Sequence, residues 1–322
     1  ACSRRPRNED SECTYFHGAG PCDHDGCCCW RHHRYLQPWP TSYWRATAFE
    51  VVQRSTVSEV YSQIISDLEY AIENLPGENK VESGRATVDG AKALLAKVYF
   101  YKHDFGNAAK YAEQVINTQK YDLDEDLTAK FGRAEKKTVT QEIVAMIPSA
   151  SLIEDSWGGL RDYRTNGLAL PTSRPSNELI AAYDQQNDNR FKTFFKNIDG
   201  SWYTLKFDYE YMDGIIIGYN ELLLLYAESL AKSNGNMNQA LNALQKIEKR
   251  AYGKANTTTT DRASFIKAVQ KERRLEIALQ GERLFELKRI KQSVRGEAWD
   301  SHKVMFQIPD VEQNGNPDVN MN

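Results

Sequence analysis

The sequence predicts a mostly α-helical protein, with tetratricopeptide-like helical hairpins around an irregular, loop-rich insert that carries a few short strands. Three observations lead there. Apolar residues recur at helical spacing over two blocks, residues 55–118 and 215–292. Within those blocks alanines sit where paired helices must approach closely, with aromatics around them. Between the blocks, residues 120–214 lose the helical period and carry several Gly and Pro and a cluster of aromatics.

Ser55 or Thr56 caps the first helix, whose apolar stripe is Val57, Val60, Tyr61, Ile64, Leu68, Ala71, Ile72 and Leu75; Pro76-Gly77 ends it. Glu59, three residues after Thr56, completes a capping box. A second helix runs from about Val88 to Lys102 through Ala91, Leu94, Leu95, Val98 and Tyr99. A third runs from about Phe105 to Thr118 through Ala108, Ala109, Ala112, Val115 and Ile116, after a turn centred on Asp104. A comparable hairpin recurs where Tyr219–Lys232 and Met237–Tyr252 frame the turn Ser233-Asn-Gly-Asn236. Leu222 to Leu225 make its first helix apolar nearly all round, which places it deep in the core. Its partner reads Ala240, Leu241, Ala243, Leu244 and Ile247.

After the polar loop Thr257–Thr260 comes the most heavily charged text in the chain, Lys271 to Ile290. Leu275, Ile277, Ala278 and Leu279 give one amphipathic helix, Gly281 closes it in a left-handed position, and Leu284, Phe285, Leu287 and Ile290 begin a second stripe. Two helices therefore meet at a glycine corner. Glu272, Arg273, Arg274, Glu276, Glu282, Arg283 and Arg289 form either a solvated face or a set of inter-helix ion pairs, and no pair among them has the shape of a catalytic site.

Composition narrows the function. A chain of 322 residues can bury a large core in one large domain or two ordinary ones. With 41 Lys and Arg against 44 Asp and Glu the net charge is -3, so no basic surplus points to nucleic acid, and a neutral ligand fits best. The longest nearly apolar run, Ile215 to Ala227, is interrupted by Gly218, Asn220 and Glu221 and is too short to cross a bilayer as a helix. No Met start, basic n-region or apolar h-region opens the chain, so an export signal is absent or already missing from it.

All six cysteines (Cys2, Cys13, Cys22, Cys27, Cys28, Cys29) and four of the six histidines (His17, His24, His32, His33) fall early. A metal knuckle of Cys22, His24, Cys27 to Cys29, His32 and His33 is one reading, and disulfide pairing another. Against the first, no Cys-x-x-Cys pair repeats at finger-like spacing. The preferred reading is that residues 1–48 are an aberrant segment, the product of a shifted reading frame or an assembly error, and that residues 49–322 form the domain; no metal is expected.

Binding residues are expected in the insert, because loops on a rigid scaffold are where they concentrate. In Trp157-Gly-Gly-Leu-Arg161-Asp-Tyr163-Arg164 a glycine pair lets a loop bring an indole and a phenol to the surface. Sugars offer a C–H face that stacks on such rings, while Arg, Asn and Asp bond the hydroxyls. Trp202 and Tyr203 are a second candidate pair, with Tyr209 and Tyr211 close behind. Alternation of Tyr203, Leu205, Phe207, Tyr209 and Tyr211 also reads as a strand with one apolar face, the preferred reading for this group. Phosphate-cradling glycine loops, His-Glu-x-x-His and nucleophile elbows are missing, and His103 and His302 stand alone. The chain is expected to be no enzyme and to need no cofactor.

The run Lys271–Ile290 resembles the C-terminal signature of the SusD/RagB family, glycan-binding lipoproteins of the Gram-negative outer membrane, whose members carry E-R-R-x-E-x-x-x-E-G-x-R-x-x-D-L-x-R. Glu272, Arg273, Arg274, Glu276, Gly281, Arg283, Leu287 and Arg289 match, while Gln280 and Glu286 stand where the family usually has Glu and Asp. Further matches follow in family order over residues 53–318. They are the helix Val57–Leu68, Gly84-Arg-Ala-Thr87, Ala91-Lys-Ala-Leu-Leu-Ala96, Pro175–Tyr183 with Asp188 and Arg190, Tyr226-Ala-Glu228, Ile308-Pro309 and Asn316-Pro317.

The resemblance implies a SusD-like fold at the cell surface, on the outer membrane, that captures oligosaccharide without breaking a bond. It also implies delivery to a SusC-like TonB-dependent transporter, and contact with the membrane only through a lipid anchor that this chain lacks. Cys2 has one residue before it and no lipobox. On this reading Glu272, Arg273, Arg274, Glu276, Gly281, Arg283 and Arg289 lock helices together, and the ligand is met elsewhere, by Trp157, Arg161, Tyr163, Trp202 and Tyr203. Two other classes stay open: a helical-repeat scaffold presenting a concave surface to a peptide, and an enzyme of glycan breakdown.

Overall fold

The computed structural model describes residues 55–131, 140–147, 165, 170–171, 173–209 and 213–309. Helix α1 (Val57–Asn74) opens with the capping box: Thr56 Oγ1 accepts from Glu59 N at 3.2 Å, and Thr56 N donates to Glu59 Oε2 at 2.7 Å. Two of the four orphan amides of the first turn are satisfied this way. Only part of its stripe is used. Ile65, Leu68 and Ile72 pack on the core, whereas Val57 and Val60 stay exposed.

Thr87 caps α2 (Val88–Tyr101) by accepting from Gly90 N at 2.9 Å, and Asp104 caps α3 (Phe105–Ile116) by accepting from Asn107 N at 3.2 Å. Ala93, Ala96, Ala108 and Ala112 are fully buried in this hairpin, where short side chains let the two backbones approach.

Residues 140–218 include two short antiparallel pairs. Strand β1 (Ile143–Ile147) pairs with β4 (Gly214–Gly218), and β2 (Phe195–Ile198) pairs with β3 (Ser201–Thr204). Asp199 and Gly200, at φ 49° and 81°, turn the second hairpin, as a two-residue connection with positive φ at both positions should. Two short helices precede it, α4 (Asn177–Ala182) and α5 (Asn189–Phe194), in a stretch where the sequence shows little helical period. The strand anticipated over Tyr203–Tyr211 stops at Thr204. Leu205 N makes a last bond to Phe194 O, Asp208 N then closes a turn onto Leu205 O, and Tyr203 and Phe207 are buried.

The second block holds α6 (Tyr219–Lys232), α7 (Met237–Tyr252) and α8 (Arg262–Glu276), with Asn236 capping α7 and Asp261 capping α8. Helix α6 packs against α2, α3, α7 and α8 and is buried from Tyr219 through Ala231. Leu95, Phe100, Val115, Leu222 to Leu225, Leu244, Ile247, Phe265 and Val269 form one core with it. A smaller core of Leu127, Phe131, Ile180, Tyr183, Phe191, Phe194, Phe195, Leu275 and Ala278 lies under the β2–β3 hairpin.

The glycine corner is longer than its sequence pattern indicates. Helix α8 ends at Glu276 instead of running through Leu279, and α9 covers Arg283–Arg289. Leu279 joins Gly281 at positive φ, 66° and 86°. Insert side chains hold this corner: Tyr183 Oη donates to Leu275 O at 2.6 Å and Lys206 Nζ to Ala278 O at 2.9 Å. No helix among the described residues is long and apolar enough to cross a membrane.

Candidate functional site

The charges of the signature divide between two buried ion clusters. In the first, Arg190 of α5 is held by Asp188 at 2.8 Å, Glu272 at 2.8 Å and Glu276 at 3.2 Å. Arg250 of α7 bridges Glu142 and Glu276, and Lys130 also pairs with Glu142. Asn220 adds a bond to Glu276 at 2.7 Å, and Tyr252 Oη donates to Glu272 at 2.9 Å. Burial pushes the Glu276 carboxyl up, but Arg250, Lys130 and Arg190 outweigh it and hold the group well below the usual carboxylate range. This cluster ties the insert to α6, α7 and α8 of the second block.

The second cluster ties the two blocks to each other. Arg273 reaches Glu221 at 3.0 Å, Lys97 of α2 reaches Glu221 at 3.0 Å and Glu282 at 2.7 Å, and Arg289 reaches Glu228 at 3.0 Å. Both guanidinium groups stand over the Phe100 ring, Arg289 at 4.0 Å and Arg273 at 5.2 Å. Burial raises the Glu228 carboxyl, yet Arg289 and Lys232 bring it below its ordinary value. Arg274 differs, pairing at 2.7 Å with the exposed Glu178, and Gly281 and Arg283 face solvent.

Of the aromatic candidates, Trp157, Arg161 and Tyr163 lie outside the described residues, as does Tyr211. Trp202 is half-buried on β3, opposite Asn197, with its ring 5.0 Å from Phe191 at a steep angle. Tyr203 is a correction to the sequence expectation: it is buried, with the Arg174 guanidinium 5.8 Å from its ring centre, and offers no face to a sugar. Alternation along a strand sends neighbours to opposite sides, which separates the pair. Arg174 also donates to Ser201 Oγ at 2.9 Å, bracing the hairpin tip. Tyr209 packs partly buried against the smaller core.

Lys130, Glu142, Lys206 and Arg250 belong to this centre but carry no local sequence signal; their partners lie 12 to 108 residues away. Asp188 and Arg190 were visible as a spaced pair. Among the described residues no group of three or more His, Cys, Asp or Glu side chains could hold a metal ion. His103 stacks on Phe105 at 5.6 Å, and His302 sits exposed in a short 3-10 turn.

Comparison with known proteins places this arrangement. Residues 172–321 match the model of the SusD family, and residues 29–100 match a model described as starch-binding associating with outer membrane. The second match takes in residues 29–48, part of the segment set apart above. SusD-like protein P2 of Formosa agariphila is 24% identical, over 76% of this chain and 59% of its own length. The chain thus spans about 59% of that curated relative.

A SusD superfamily protein from Bacteroides thetaiotaomicron superposes with a TM-score of 0.73 at 20% identity, covering 85% of this chain and 68% of that one. Surface glycan-binding protein A from the same organism superposes at 0.67 with 20% identity, covering 83% and 70%. With the same fold, the matches to both family models and the signature on α8 and α9, the chain belongs to the SusD/RagB family.

Proposed function

We propose that this protein captures neutral oligosaccharide or polysaccharide at the outer-membrane surface, breaks no bond in it, and passes it to a SusC-like TonB-dependent transporter. The observation that carries the reading is the β2–β3 hairpin, a half-exposed indole on a short element pinned to a rigid helical scaffold. Such a ring can stack on a pyranose C–H face at little entropic cost, because its packing against Phe191 already fixes it. Trp157, Arg161 and Tyr163 join Trp202 as the proposed contacts. Tyr203 supports the hairpin from beneath.

The family model's starch-binding description and the glycan-binding name of a structural neighbour favour a sugar ligand. The charged centre favours binding over catalysis. Glu142, Asp188, Glu272 and Glu276 are each buried and paired with Arg or Lys, away from any surface where a glycosidic bond could be brought. Calorimetry of the full chain against a panel of neutral polysaccharides tests the proposal. Heat with at least one glycan and no new reducing ends is expected. No heat with any of them overturns sugar binding, and reducing ends appearing over time overturn the non-catalytic role.

A further inference from the structure

Lys206 is fully buried at the foot of the β2–β3 hairpin, and the ion pairs around it leave it out. Its neighbours Lys130, Arg190 and Arg250 take Glu142, Asp188, Glu272 and Glu276 between them. Among the described residues the Lys206 nitrogen meets no carboxylate; it donates to two backbone carbonyls, Ala278 O at 2.9 Å and Glu276 O at 3.5 Å. Two rings close the remaining sides, Phe194 at 4.9 Å and Phe131 at 5.1 Å. A neutral amine has two N–H donors, the number that the carbonyls accept, whereas an ammonium has three.

We propose that Lys206 is a proton-controlled peg: neutral, it seats the hairpin on the carbonyl end of α8, and protonated, it loosens that seat. The carbonyls at a helix C-terminus and the two rings favour the cation. Burial and the neighbouring cations Lys130, Arg190 and Arg250 oppose it, and Glu276 acts the other way. Burial first, and then Lys130, push the Lys206 ammonium down to about 7.

The group's folded value lies below its unfolded one, near 10.4, so the seat strengthens as pH rises between the two and is weakest, and constant, below about 7. Hairpin opening should therefore become about tenfold rarer for each pH unit gained from about 7 to 10. The segment that moves carries Trp202, so the peg makes the exposure of that ring pH-dependent whether or not a sugar binds there.

Hydrogen exchange of the full chain, corrected for the intrinsic pH dependence of exchange, reads the opening of residues 195–207. The wild type should gain protection there from pH 7 to 9, and Lys206→Met should show no such slope. Equal slopes in both proteins overturn the proposal. If the variant does not fold, the wild type labelled with 13Cε-lysine decides. One lysine titrating near neutral pH supports the peg, and none titrating below about 9 overturns it.

Discussion

Glu276 faces three buried cations at once. Its two oxygens serve Arg190, Arg250 and Asn220, with Lys130 at 3.7 Å. Removing the carboxylate leaves those cations buried with one anion too few. Glu276→Gln should therefore cost about 3–5 kcal/mol, read as a lower denaturant midpoint at unchanged slope. The two hairpin aromatics should separate in the opposite sense to their adjacency. Tyr203→Ala empties a packed site and should cost about 3–5 kcal/mol of stability. Trp202→Ala should lower glycan affinity about tenfold, or about 1.4 kcal/mol, in calorimetry, with the smaller stability loss. Equal stability losses at the two positions would show that Trp202 is packing rather than contact.

Helix starts are local events, and the sequence announces them. Thr56, Thr87, Asp104, Asn236 and Asp261 each accept from an amide two or three residues ahead, so the stop-and-start text is read within one turn. Thr56→Ala should cost about 1 kcal/mol and speed amide exchange in the first turn of α1 more than elsewhere. Helix ends were less legible. The apolar period continues to Leu279, yet α8 stops at Glu276, Leu279 takes positive φ, and Tyr183 and Lys206 bond carbonyls at the corner. The residues that hold this corner stand 92 and 72 positions from it in the chain. The same holds for β3, whose alternation runs on past the point where a turn at Asp208 leaves the ladder. α1 shows the converse: a full apolar stripe of which Val57 and Val60 meet solvent in the described protein.

The ion clusters join the blocks into one unit, and their chemistry sets the molecule's response to acid. Glu276 and Glu228 have folded values below their unfolded ones, so each contributes stability that is present above the unfolded value of about 4.3. That stability is lost as pH falls through the folded values. Denaturant unfolding should show a stability flat through these groups down to about pH 5 and falling steadily below it, with Glu276→Gln showing a shallower fall. Helical class, the Thr56 cap and the family signature were open to reading from the chain, because each depends on neighbours within a turn or two. The chain also identified Arg273, Glu276 and Arg289 as members of a pattern. Which carboxylate each cation would meet was decided by folding, since partners such as Arg190 and Glu276 stand 86 residues apart. Burial was decided there too, because a charge leaves water only where the surrounding chain supplies its counter-ion, and no local spacing encodes that.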